Sequence, residues 1–144
     1  MDTHRFSGPF WSLFRFVVGF LFTLHGARTV LGLFGGAEGT GDPLPAGQWP
    51  GWWAGLIQLV CGLLVLAGVL TRPAAVLASG SMAYAYFVVH QPQGLLPIQN
   101  GGVSPALYAW SFLAIAVLGA GPWSVDALLA RRSAATPAPA GTRR

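Results

Sequence analysis

Apolar residues run along this chain in long blocks, and the polar positions fall between them. Four blocks stand out, at 11–34, 51–70, 73–90 and 105–121. None alternates polar and apolar residues as a membrane β-strand does over about ten positions. Each is close to the roughly 20 residues that carry a helix across a hydrocarbon core about 30 Å thick. The pattern therefore predicts an all-α, polytopic membrane protein built as a four-transmembrane-helix bundle. The connections carry turn chemistry: GGAEGTGDPLPAG after the first block, Thr71-Arg72-Pro73 as a tight turn, and QPQGLLPIQNGG at 91–102. Gly and Pro punctuate all three, and the last has room for a short interfacial or re-entrant piece. Beyond the fourth block, GPWSVDALLARR predicts a short interfacial helix with Trp123, Val125, Leu128 and Leu129 on its lipid side. The chain thus divides into a leader (1–10), a membrane domain (11–130) and an Ala/Pro-rich disordered tail (131–144).

Composition agrees. Of 144 residues, 53% are apolar and only 8% charged, against about 25% charged in a soluble domain. Twelve charges (8 basic, 4 acidic) cannot solvate a globule of this size, and such hydrophobicity excludes disorder. Mean hydropathy is +0.57. In the four-span arrangement Arg5, Arg72, Arg131, Arg132, Arg143 and Arg144 share one side, and the opposite loops carry only Glu38 and Asp42. The positive-inside rule then puts both termini in the cytoplasm. Trp11 and Trp123 mark the inner interface, and Trp49, Trp52 and Trp53 the outer one. Because topology accounts for the net charge of +4, no nucleic-acid partner is implied. Eight Arg without a single Lys, beside abundant Ala and Gly, point to a GC-rich bacterial source and hence to the cytoplasmic (inner) membrane. The first block is too long for a cleavable signal peptide, and no small-x-small site follows it.

Depth sorts the polar groups. Arg15 lies about four residues from the inner end of the first span, close enough to snorkel to the headgroups. Arg28 lies about 9 Å below the outer end at 1.5 Å per residue, with His25 one turn deeper on a neighbouring face. Gln58 reaches a similar depth on the second span. Tyr84 and His90 close the third, Asn100 lies in the loop beyond, and Tyr108 and Trp110 open the fourth. All four spans thus send polar or aromatic groups into the outer half, whereas the inner half reads as Leu, Val, Ala and Gly. A charge inside the membrane faces the bundle interior and seeks partners. The acceptors available to Arg28 are the Gln58 carbonyl, Glu38, Asp42 or a bound ligand. A packing network and a ligand pocket account for this convergence equally well.

Other chemistry is sparse. A metal site takes three or four ligands, and the chain has three His, one of them in the leader, so no metal site is expected. His25 and His90 sit at different depths, which disfavours haem. Cys61 is the only cysteine and reads as a small core residue. Close helix packing explains the Ala75, Ser79 and Ala83 ridge and the seven-residue step from Gly19 to Gly26. No complete catalytic set is present.

Four stretches resemble the DoxX family of small membrane proteins: LHGARTVLGLFGG, GLIQLVCGLLVLAGVLTRPAA, YFVVHQPQGLLPIQNGG and LGAGPWSVDALL. In this order they cover most of the chain. The resemblance implies a four-helix bundle associated with quinone-linked sulfur oxidation or with oxidative-stress and thiol homeostasis. The sequence departs from the family pattern at Arg28-Thr29, where Gln-Lys is usual, and at Gln58 and Val103, where Glu is common. Both departures to a neutral residue remove a proton-handling acid.

Three functions compete. One is an accessory subunit of a membrane redox system, with redox-complex partners and a quinone or small sulfur compound in a pocket formed by His25, Arg28, Gln58, Tyr84, His90, Asn100, Tyr108 and Trp110. Activity, if any, is then that of a quinone-dependent oxidoreductase complex. The second is a non-enzymatic anchor or scaffold for partner proteins. The third, ranked last, is a small-solute carrier, which at this length requires a homo-oligomer.

Overall fold

The computed structural model describes residues 4–135, and they are helical without strands. Helix α1 spans His4–Leu31, α2 Gly51–Ala67 and α3 Thr71–Tyr84, which continues as a π-helical turn over Ala85–His90. The single turn α4 (Pro97–Asn100), α5 (Val103–Leu118) and α6 (Val125–Ala135) follow, with 3-10 turns at Ala37–Gly39 and Gln91–Gln93. α1 packs chiefly on α2 and α3 on α5, and a contact between α2 and α3 joins the two pairs. The start of α1, the end of α2, the start of α3, the end of α5 and α6 meet at one end of the bundle, the terminal end. Loops 32–50 and 91–102 form the other, the loop end.

The surface is inverted relative to a soluble protein. Phe16, Leu21, Val60, Leu63, Val76, Leu107 and Val117 are exposed on the flanks of the helices, whereas Arg15, at 2% exposure, is among the most buried side chains. Of the other buried polar residues, Thr71, Asn100 and Ser124 lie at helix ends or in the adjoining turns, and Ser12 lies within α1, three residues before Arg15. Apolar flanks suit a hydrocarbon solvent, in which every backbone polar group must be satisfied internally. One helical stretch, Ser7–Leu31, is by itself long and apolar enough to cross a membrane. α2 and α5 are apolar but only 17 and 16 residues long, about 26 and 24 Å at 1.5 Å per residue.

Glycine sets how closely the first pair approaches. A Cβ on Gly19 would stand 2.7 Å from the Leu66 nitrogen, and one on Gly26 2.6 Å from the Leu59 Cα. Reciprocally, Gly55 and Gly62 of α2 make room for Thr29 and Thr23. The seven-residue step therefore recurs on both helices and brings the backbones together, as small residues do between membrane helices. The second pair uses the expected ridge: Ala75 is fully buried, and the Ser79 hydroxyl donates to the Ala109 carbonyl at 2.8 Å. Between the pairs, Phe22, Val65, Ala78, Phe112 and Ile115 make the core.

Arg15 does not snorkel. Its Nε donates to the Ala120 carbonyl at 2.7 Å, Nη2 to Trp123 at 2.7 Å, and Nη1 to Leu66 at 2.7 Å and to Val65. The last carbonyls of a helix lack intrahelical donors and carry the negative end of its dipole, so the end of α2 and the turn after α5 outcompete the headgroups for this cation. Around it, Trp11 Nε1 donates to Gly119 O at 2.8 Å, and the Trp123 N–H donates to Ser12 Oγ at 3.2 Å. The terminal end is thus richly networked, which corrects the expectation that the half of the bundle carrying it is merely apolar.

Helix ends also move. α1 begins inside the expected leader and stops at Leu31, because Gly32 and Phe34 adopt left-handed φ of 70° and 55°. Thr71-Arg72-Pro73 is the first turn of α3 rather than a loop. Its N–H groups are capped from a distance, with Leu70 N and Thr71 N both donating at 3.0 Å to the Asp126 carboxylate. The reversal itself occurs at Gly68, left-handed at φ 72°, where Val69 N bonds Leu64 O at 2.9 Å, a Schellman ending. α5 starts two residues earlier than expected and stops before Gly119 (φ 85°). The helix expected after the fourth block is present as α6, capped by Ser124 Oγ on Ala127 N at 3.1 Å, and runs to Ala135 past the expected boundary at 130. The expectations for 1–3 and for the tail at 136–144 lie outside the described residues.

Candidate functional site

The loop end holds a cavity of about 440 Å³ between α2, the π turn and the loop before α2. Trp49, Trp53, Ile57, Leu77 and Tyr84 form its walls, and Gln48, Ser81 and His90 supply polar groups. Trp49 and Tyr84 meet edge to face, their ring centres 5.9 Å apart, and Trp53 Nε1 donates to Gly47 O at 3.3 Å. The π turn shapes this wall. Its wider winding directs Ala85, Val89 and His90 to this cavity and Tyr86 and Phe87 to a second, more apolar one of about 370 Å³ against Ala109 and Trp110 of α5. Single π turns recur at functional sites.

His90 is held firmly. Its Nδ1 lies 2.9 Å from the Asn100 carbonyl oxygen. Asn100, 5% exposed, donates through Nδ2 to Gly94 O at 2.7 Å and accepts from Gly102 N at 2.7 Å. The 91–102 loop is thereby folded into a frame behind the histidine.

The eight residues singled out in the sequence do not form one pocket. Tyr84 and His90 line the first cavity, with Asn100 behind them, and Trp110 lines the second. His25 lies exposed on α1 and meets Tyr108 edge-on, with ring centres 5.8 Å apart. Arg28 finds a different acceptor from those expected, donating through Nε to Gly36 O at 2.7 Å and so tying the first loop to α1. Gln58 is half-buried on α2 and lines neither cavity. Sequence reasoning missed Gln48, Ser81 and the wall role of Trp49 and Trp53. The cluster of three Trp at 49, 52 and 53 was the available signal, and it read only as an interface marker. Among the described residues no three His, Cys, Asp or Glu side chains gather as a metal site.

At the terminal end, burial works against ionisation of Asp126. The N–H donors of Thr71 and Leu70 and the Arg15 charge outweigh burial and hold its carboxyl below the usual value. A depressed folded pKa stabilises the fold above the unfolded value of about 4 and is lost as pH falls through the folded value. Removing the cap in Asp126→Ala should cost about 1 kcal/mol at pH 7, discounted for partial solvent screening. Thermal melts of both proteins should converge as the pH falls through the depressed folded value of Asp126.

Apolar flanks, polar groups held at helix ends and a side-opening aromatic cavity define the class: an all-α bundle with the surface of a membrane-associated protein. The chain belongs to the DoxX family, whose model matches residues 10–91, a stretch that contains every residue lining the first cavity. It is also 36% identical over 132 residues to an uncharacterized protein of Haemophilus influenzae, covering 87% of this chain and 94% of that protein. No solved structure matches the chain.

Proposed function

We propose that this protein crosses the bacterial inner membrane four times with both termini cytoplasmic. In this reading it is an accessory subunit of a membrane redox system that holds a lipophilic ring compound of the quinone class in the cavity between α2 and α3. The observation that carries the reading is the cavity's make-up: aromatic and aliphatic walls with a few polar groups at the rim, the usual composition of a small-molecule site. Arg72, Arg131 and Arg132 at the terminal end, facing loops without Lys or Arg, support the orientation. A small sulfur oxyanion fits less well, because no arginine lines the cavity and Arg28 is committed to Gly36.

Detergent-solubilised protein should bind 1,4-naphthoquinone, and Trp49→Ala should weaken binding about ten-fold, the size of one lost aromatic contact. Trp110→Ala, in the other cavity, should leave it unchanged. Equal binding by wild type and Trp49→Ala in equilibrium dialysis would overturn the assignment. A scaffold role is the second reading. It is favoured by α6, whose exposed Leu128, Leu129 and Arg131 stand on a helix anchored by its Ser124 cap and by Asp126 N on Gly68 O at 2.8 Å.

A further inference from the structure

Resting on the cavity reading just given, we infer that the site discriminates by hydrogen-bond polarity and favours a ring bearing a free hydroxyl, a hydroquinone or phenol, over the corresponding carbonyl compound. The argument turns on one nitrogen. A neutral imidazole carries a single N–H, on one of its two nitrogens. Nδ1 of His90 lies 2.9 Å from the Asn100 carbonyl oxygen, and a carbonyl oxygen only accepts. The hydrogen therefore sits on Nδ1, and Nε2 presents a bare lone pair.

That assignment is rigid because its acceptor is rigid. Asn100 is buried, and its side chain is held at both ends, by Gly94 O and Gly102 N. The ring cannot exchange roles without setting a bare Nδ1 lone pair against the Asn100 carbonyl oxygen. His90 itself lines the cavity, so the group it offers a ligand there is an acceptor. A phenolic O–H satisfies it. A quinone carbonyl brings a second lone pair against the first and leaves both unsatisfied, a costly pairing in an apolar site. The other lining groups serve either form: Trp49 and Trp53 meet the same ring in each, and the Gln48 amide and the Ser81 and Tyr84 hydroxyls carry both a donor and an acceptor.

The test compares 1,4-naphthohydroquinone, kept reduced under nitrogen, with 1,4-naphthoquinone. Equilibrium dialysis is run against detergent-solubilised full-length protein at about pH 8. Wild type should bind the hydroquinone about ten-fold more tightly, the worth of one hydrogen bond in a dry site. His90→Asn places its amide N–H where Nδ1 stood and has nothing at Nε2. It should keep the frame and lose the preference, binding both forms alike. His90→Gln, which can place its amide oxygen near the Nε2 position, should recover part of it. Equal affinities in wild type, or a preference that survives His90→Asn, would overturn the inference while leaving the cavity reading intact. Failure of wild type to bind either compound would overturn the cavity reading and the inference with it.

Discussion

Arg15→Ala should lower the melting midpoint of the detergent-solubilised protein by about 10 °C or more, the largest single-residue effect expected in this chain. The guanidinium serves four carbonyls, those of Val65, Leu66, Ala120 and Trp123, drawn from two separate turns. Removing it leaves these oxygens inside the protein at about 1–3 kcal/mol for each one that finds no other donor. Even if two recover a partner, the loss is about 4 kcal/mol. Arg15→Lys should rescue little. An ammonium is a compact charge with three donors on a flexible stem, whereas these acceptors surround a planar fork. Arg15→Met preserves much of the volume and should melt like the alanine variant, which separates lost hydrogen bonding from lost packing. Size-exclusion profiles after mild heating give the readout. A Met variant as stable as wild type would show that the carbonyls are satisfied without the cation.

Gly26→Ala should be nearly as damaging, and for an unrelated reason. Its Cβ would lie 2.6 Å from Leu59 Cα and 2.7 Å from Gly55 O, and closer still to Leu59 N. All three are backbone atoms, so no rotamer change relieves the clash and α1 must move off α2. Overpacking of this kind costs about 1–3 kcal/mol, occasionally more, and here it acts against a whole helix pair. Gly19→Ala, with 2.7 Å to Leu66 N, should cost somewhat less. Gly80→Ala is the control. Nothing lies within 4 Å of that position, and alanine is the better helix former by about 1 kcal/mol, so its melting midpoint should hold or rise. Comparable losses at Gly26 and Gly80 would mean that close approach does not govern these positions, since helix propensity favours alanine at both.

The same residues show what a linear sequence displays. Hydropathy marks the helical blocks well because the exposed flanks are apolar as well as the core. The glycine spacing on α1 was legible as packing, since a seven-residue step lies on one helix face. Helix ends were less legible where the cap is remote. Thr71-Arg72-Pro73 looks like a turn because the carboxylate that starts α3 belongs to Asp126, more than fifty residues on. Arg15 was misread because its acceptors are main-chain oxygens, which no residue type announces. Tyr84 and His90 were found by depth. His25, Arg28 and Gln58 shared a similar depth but not a direction, and depth alone cannot tell which side of a helix looks into a cavity.

The arginine at the terminal end also bears on how the chain is made. Two of its partners, Ala120 and Trp123, lie 105 and 108 residues downstream. The pairing of α1 with α2 therefore encloses a cation whose coordination is half complete until the turn after α5 folds back on it. A chain whose turn after α5 is displaced keeps an underserved charge in its interior and a loosened first pair. Arg15 thus ties the stability of the first helix pair to a turn that the chain supplies only near its far end.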